Sequence, residues 1–195
     1  MAKRRDRRIE RTQQLIRGAL RSLIQEKGFD ALTVQDIIDR ANVGRATFYA
    51  HFDNKDDLLA SGFEDLRASL KARQRDAFAR GRSVEDRVLA FSQEVFAHTN
   101  EYRDVFRAMV GKRSGATVQR LLHKLLVDLV REDVKETVVR ADHRGVPTEA
   151  LVQCIAGALF GLLMWWLDGK MRLSVVEVNA LFRKLAIPSL KAAVE

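Results

Sequence analysis

Cysteine occurs once in this chain, at Cys154, and proline only twice. A single cysteine excludes an internal disulfide and fits a reducing compartment. Cys154 lies in an apolar run and reads as a small buried hydrophobe rather than a nucleophile. Two prolines and few alternating β-branched residues leave little to interrupt helix. The four histidines are scattered, and none stands at a metal-ligand spacing from Cys154 or from another histidine. Glu94 and His98 lie one turn apart, which is half a metal site at most and more simply a surface pair. No Walker loop, GxGxxG or GxSxG is present. No enzyme activity, metal or cofactor is therefore expected. The basic N-terminus is not followed by the apolar core of a signal peptide. The longest apolar run, Cys154 to Leu167, is shorter than the ~20 residues a membrane span needs. It is expected to be a buried helix, with no membrane partner and a cytoplasmic location. Internal repeats and low-complexity tracts are missing too.

What is present is basic and helical. The chain has 195 residues, a net charge of +8 and 47% apolar residues. That length fits one domain, or a small one with a larger one, and can bury a substantial core. The charge suggests a polyanionic partner.

The chain is organised around Thr33 to Leu59, TVQDIIDRANVGRATFYAHFDNKDDLL. Thr33 is a good N-cap with Asp36 three residues on, close to a capping box. Ile37, Ile38 and Ala41 give the helix that follows one apolar face. Asn42-Val43-Gly44 is the turn, where Gly44 permits a positive φ or a close backbone approach. Arg45 to His51 then makes barely two turns. Phe48 and Phe52 face inward, which leaves Arg45, Ala46, Thr47 and Tyr49 outward. So short a helix needs a scaffold. What it displays is basic, hydroxylated and aromatic, as a recognition helix in a DNA major groove requires.

At these residues the chain resembles the TetR/AcrR family of transcription regulators. The Val-Gly-Arg-Ala-Thr-Phe-Tyr turn and helix, the His-Phe pair, and a lysine followed by acids and paired leucines carry the likeness. It covers about the first 65 residues. The resemblance implies that Thr47, Tyr49 and Lys55 touch phosphates or groove edges. It implies that Gln35 reaches a base or phosphate, and that Gly44, Arg45 and Ala46 occupy the base-reading positions. Arg45 suits guanine O6 and N7, and Ala46 a thymine methyl. Gly44 has no side chain to read with. His51 is either a phosphate contact or structural. Thr33, at the start of the same helix, completes the expected DNA surface.

Around this stretch, Met1 to Arg8 is a basic arm, either lying along phosphates and reaching a minor groove or simply solvated. Glu10 to Lys27 is an amphipathic helix stopped by Gly28. Asp53 or Asn54 caps the next helix, whose Lys55 opposes the helix dipole and would welcome a phosphate. Gly81-Arg82-Ser83 is a break, with Ser83 and Asp86 placed for another capping box. Helices are expected over Val84 to His98, Glu101 to Val110 and Thr117 to Ala141, with loops at 111–115 and 142–147. Thr148 caps a helix that is apolar nearly all round, which calls for cover on more than one side. Gly169 ends it. Ser174 opens the last helix, whose seam runs up to Pro188.

The expected fold is all-α: a three-helix helix-turn-helix domain over residues 1–53 and a larger helical effector-binding and dimerisation domain over 54–195. The resemblance implies a four-helix homodimer interface, to which Ile155, Ala158, Leu159, Leu162, Trp166, Val178, Leu181, Phe182 and Leu185 are assigned. It also implies an effector pocket. Phe63, Phe91, Phe96, Tyr102, Phe106, Met109, His123, Leu126 and Trp165 are its candidate lining, suited to an apolar or aromatic small molecule. The functional expectation is a ligand-responsive regulator, a repressor released from a palindromic DNA operator. The alternative is an effector-independent DNA-binding protein. An enzyme carrying a DNA module would need a convergent polar site, and none is visible.

Overall fold

The computed structural model describes residues 2–80, 88–109, 115–138, 146–169 and 172–192, with side chains described from residue 7 onward and not at 136–138. Among the described residues there are nine helices and no strand. They are α1 (Ala2–Lys27), α2 (Val34–Ala41), α3 (Arg45–Tyr49), α4 (Lys55–Arg80), α5 (Ser92–Glu101), α6 (Arg103–Met109), α7 (Gly115–Val138), α8 (Thr148–Asp168) and α9 (Val175–Ala192). The all-α expectation holds. The chain divides into two compact units, Met1–Asp65 with Asp104–Gln119, and Leu66–Arg103 with Arg120–Glu195. The first unit therefore continues past position 53 into α4. The expected break at 81–83, its capping box and most of the loops at 111–115 and 142–147 lie outside the described residues.

In the first unit α1 starts at Ala2, so the basic arm is the helix's first turns rather than an extended tail. Ile16, Ala19, Leu20, Leu23 and Ile24 are buried along one stripe, at the i, i+3, i+4 rhythm of an inward helical face. Gly28 stops the helix with φ 76°, a conformation open to a residue without Cβ, and its N–H returns to the Ile24 carbonyl at 2.9 Å. Phe29 and Leu32 then enter the core. Of the two candidate caps for α4, Asn54 takes the place: its Oδ1 accepts from the N–H groups of Asp56 and Asp57, both at 2.9 Å. Arg17 of α1 is bound to Asp65 and Ser61 of α4.

The second unit is centred on Phe96 of α5. Its ring meets Trp166 of α8 edge-on at 5.6 Å and Phe182 of α9 at 6.5 Å. Aromatic pairs at such angles exceed their simple area burial in strength. Buried polar groups are tied across long separations. The Asp133 carboxylate accepts from Gln74 Nε2 and from the Leu89 N–H. The Ser92 hydroxyl bonds Asn179, and Arg183 reaches the Val88 carbonyl. Of the helix expected over Val84 to His98, residues 84–87 lie outside the described residues; at 88–91 the chain turns, with Leu89 in the left-handed region at φ 56°, and α5 runs from Ser92. The Leu89 N–H, which a helix would have used, goes to Asp133 instead.

Three further expectations change. Thr148 is the first residue of α8 rather than its cap, which is Pro147. α9 does not stop before Pro188 but carries it inside and runs on to Ala192. Cys154 is exposed rather than buried. By contrast, Gly169 ends α8, and Ser174 with Glu177 forms a reciprocal box that opens α9. At 21 residues and mean hydropathy 1.9, α8 is long and apolar enough to cross a membrane by those criteria alone. Eight of its residues, from Leu151 to Leu167, are nonetheless buried within the unit, as in a core helix.

The face that α8 presents also differs from expectation. Of the nine residues assigned to a dimer interface, Ile155, Leu159, Trp166, Val178 and Phe182 are buried in the unit's own core and have no surface to offer. Leu162 and Leu181 are half-buried, and Ala158 and Leu185 are exposed. Trp165, expected in a pocket, is 56% exposed. A helix apolar all round offers periodicity no reason to prefer one face.

Candidate nucleic-acid interface

α2 is held at both ends by short-range chemistry. At its start the Thr33 hydroxyl oxygen accepts from the Asp36 N–H at 3.2 Å, and Asp36 Oδ2 accepts from the Thr33 N–H at 2.8 Å. This is the complete capping box, worth about 1 kcal/mol over an uncapped start. Lys27, at the end of α1, adds an ion pair to Asp36 at 2.8 Å. The Lys27 ammonium first, then the Thr33 hydroxyl and N–H, hold the Asp36 carboxyl far below the usual aspartate range. At the other end Arg40 forks onto Glu26, with both N–O distances 2.7 Å, and also bonds Ser22. The pair lowers the Glu26 carboxyl and raises the Arg40 guanidinium. Such exposed ties are individually weak, but at two ends they fix the helix's direction on α1. Ile37, Ile38 and Ala41 supply the buried face between them.

The turn after α2 is a Schellman motif. The Asn42 N–H bonds the Asp39 carbonyl and the Val43 N–H bonds the Ile38 carbonyl, each at 3.2 Å. The residue in the left-handed conformation is Asn42, with φ 50° and ψ 50°. Gly44 is not: it is extended, at φ −73° and ψ 151°, and serves as the N-cap of α3. A Cβ on Gly44 would meet only the Thr47 hydroxyl, at 3.7 Å. The expected positive φ therefore falls two residues earlier, on a side chain that tolerates it.

α3 has five residues, and Phe48 alone is fully buried. Phe48 packs against Phe52 at 5.9 Å and carries Tyr49 edge-on at 5.4 Å. Arg45, Ala46 and Tyr49 are exposed, Tyr49 by 50%, and Thr47 is half-buried. The helix closes at Ala50, so His51, half-buried with its ring 6.2 Å from Phe52, follows it. Of the expected DNA residues, Thr33, Gln35, Gly44, Arg45, Ala46 and Tyr49 are exposed in this one unit.

Lys55 is placed otherwise. Its ammonium donates to the carbonyls of Leu32 at 2.8 Å and Phe29 at 3.0 Å, with Asp30 O at 3.4 Å, and stands 4.8 Å from the Phe29 ring. The conflict with the helix dipole is thus relieved inside the chain, with no phosphate needed. One link was not anticipated. Arg45 Nη2 donates to Gln35 Oε1 at 3.0 Å, and Gln35 Nε2 donates to Asp39 Oδ1 at 2.7 Å. The i, i+4 spacing of Gln35 and Asp39 was the available signal.

The candidate effector residues are divided between the two units. Phe63, Phe106 and Met109 belong to the first unit and the remaining six to the second. Phe91, Phe96 and Leu126 are fully buried, Tyr102 lies tilted against His98 at 4.5 Å, and His123 meets Phe160 edge-on at 5.4 Å.

Residues 16–61 match a family described as bacterial regulatory proteins, tetR family, and residues 86–187, more than half of the chain, match one described as a transcriptional regulator C-terminal region. Among curated relatives, the dhaKLM operon transcriptional activator DhaS of Lactococcus lactis is 37% identical over 59 residues, 30% of this chain and 32% of that protein. In each curated relative matched, the shared stretch spans about a third of the length or less. A TetR-family regulator from Syntrophomonas wolfei has the same fold at TM-score 0.72 and 19% identity, covering 93% of this chain and 96% of that one. So does FadR of Thermus thermophilus, a transcriptional repressor solved with lauroyl-CoA, at TM-score 0.67 and 19% identity, over 91% and 94% of the two chains.

Proposed function

The chain belongs to the TetR family of transcriptional regulators, and from that membership we propose that it works as a homodimer that places α3 of each subunit in the major groove of a palindromic operator. The observation that carries the reading is the exposed row on α3. Phe48 is sunk in the core, and the side chains beside it, Arg45, Ala46 and Tyr49, face solvent from a helix pinned by its neighbours. Two such helices would sit about one DNA turn, ~34 Å, apart. Arg45 would read a guanine, Ala46 would lie against a thymine methyl, and Thr47 and Tyr49 would grip phosphates. Among the apolar residues that α8 and α9 leave exposed, Ala158, Trp165 and Leu185, with half-buried Leu162 and Leu181, support self-association.

A small apolar effector would bind in the second unit and release the operator. FadR, which shares the fold, was solved with lauroyl-CoA, whose acyl chain, though not its charged coenzyme A part, is apolar. A ligand changes operator occupancy only by its differential affinity for the two states. Release from DNA makes the chain a repressor, acting in the cytoplasm.

The test is a fluorescence anisotropy titration of the full-length protein on DNA from beside its coding region and on scrambled DNA, over a salt series. Saturable preference for the native DNA with a steep salt slope is expected. Tyr49→Ala should weaken operator binding about tenfold while the dimer stays folded, on the scale of one lost charge-assisted phosphate hydrogen bond. Equal binding by wild type and variant would remove α3 from the interface.

A further inference from the structure

Asp39 is poorly placed by two ordinary criteria. It sits in the last turn of α2, where the helix's partial negative charge disfavours an anion. It also lies beside the surface assigned above to a polyanion. The neighbouring cation Arg40 is engaged with Glu26. What Asp39 does hold is the Gln35 amide, 2.7 Å from its Oδ1, and Gln35 in turn holds Arg45 through its other end.

We propose that Asp39 is a positioning residue for base recognition, acting through Gln35 to hold the Arg45 guanidinium against one base pair. The inference rests on the DNA-reading role of Arg45. A carboxamide has a donor end and an acceptor end of nearly equal shape. Only its oxygen can accept from a guanidinium, and a carboxylate at the other end leaves only its NH2 to face that way. Asp39 therefore settles which way Gln35 points, and Gln35 settles where Arg45 stands. The contact uses one of the five guanidinium donors and leaves a two-donor fork for guanine O6 and N7. A guanidinium held in this way cannot swing to another acceptor when the guanine is replaced. The link thus raises discrimination more than it raises affinity.

The experiment uses the full-length protein and an operator that it selects from a random DNA library. Each base pair is then changed singly and the loss of affinity measured. Arg45→Ala should flatten the profile at one base pair, which identifies the pair it reads. If it flattens none, the reading role of Arg45 fails and the inference with it. At the identified pair, wild type should discriminate by roughly tenfold or more, within the range of a bidentate arginine–guanine contact. Asp39→Ala, which removes the acceptor, should cut that discrimination to within about threefold, with other base pairs and the melting temperature little changed. Asp39→Asn still offers an acceptor oxygen but can also turn its NH2 towards Gln35, so it should retain only part of the discrimination, more than the alanine variant. A pure charge effect would instead lift binding to all DNA in both variants equally and leave discrimination intact. That outcome, or equal loss in the alanine and asparagine variants, overturns the proposal.

Discussion

α3 has five residues, buries Phe48, and shows Arg45, Ala46 and Tyr49 to solvent. α8 has 21 residues, buries eight of them, and shows Cys154, Ala158, Gly161 and Trp165. The short helix cannot exist without its neighbours, and everything it displays is suited to a charged partner. The long helix is covered on one side by its own unit and displays mostly small and apolar groups. For α3, each side chain's direction follows from one aromatic anchor. For α8, direction follows from which of many equivalent apolar faces the rest of the unit happens to cover. Local chemistry decides the first case and tertiary packing the second.

The contrast can be broken at its strongest point by Phe48→Ala. Removing the sole buried side chain of α3 should cost about 3–5 kcal/mol and melt the first unit before the second. A single unshifted melting transition by calorimetry would mean that α3 does not depend on that anchor. Next in size, Trp165→Glu should weaken self-association by at least about 2 kcal/mol, since an unpaired charge would enter an apolar contact. Sedimentation velocity is expected to show a dimer for wild type and a monomer for the variant, with subunit helicity by circular dichroism unchanged. Loss of helicity would place Trp165 in the core after all. At the turn, Asn42→Val should destabilise by about 1–2 kcal/mol because a β-branched residue resists the left-handed conformation, whereas Asn42→Gly should be nearly neutral. Denaturant midpoints of the two variants would distinguish them, and equal loss would trace the effect to the Asn42 side chain rather than to its backbone.

The smallest expected effect concerns Asp36. Its carboxyl is depressed in the folded chain, so its contribution is present above the usual aspartate value near 3.8 and is lost as pH falls from there towards the depressed value. Stability should therefore begin to decline below about pH 4. Asp36→Asn should lower stability at neutral pH and flatten the acid limb, as read from melting temperatures over a pH series. An unaltered acid limb would assign it to other carboxylates.

Where a feature depends on residues three or four apart, it was legible in the chain itself. The Thr33–Asp36 box, the Gly28 stop and the Ser174 start were all readable from spacing and side-chain type. The exposed row of α3 followed from Phe48 and Phe52. The misplaced positive φ shows the limit of residue preference. Gly44 is the better candidate by type, yet the Schellman bonds of α2 require the conformation at Asn42. Leu89 goes further: its left-handed φ is held by Asp133, 44 residues away, and no local signal marks it. Lys55 looked like a free cation at a helix start, but the carbonyls that receive it lie more than twenty residues earlier. The phase of α8 was invisible because nearly every position is apolar.

The lengths of chain that these polar ties enclose differ sharply. Those that aim α2 join residues 3 to 18 apart, from Thr33–Asp36 to Ser22–Arg40. Those that tie the second unit join residues 59 apart at Gln74–Asp133, 87 at Ser92–Asn179 and 95 at Val88–Arg183. Closing a longer loop costs more entropy before any contact rewards it, and contacts near in sequence form sooner. During synthesis all the partners that orient α2 are in place before the ribosome has made Asp133 or Asn179. The nascent chain can thus assemble its helix-turn-helix ties first and complete its second unit last.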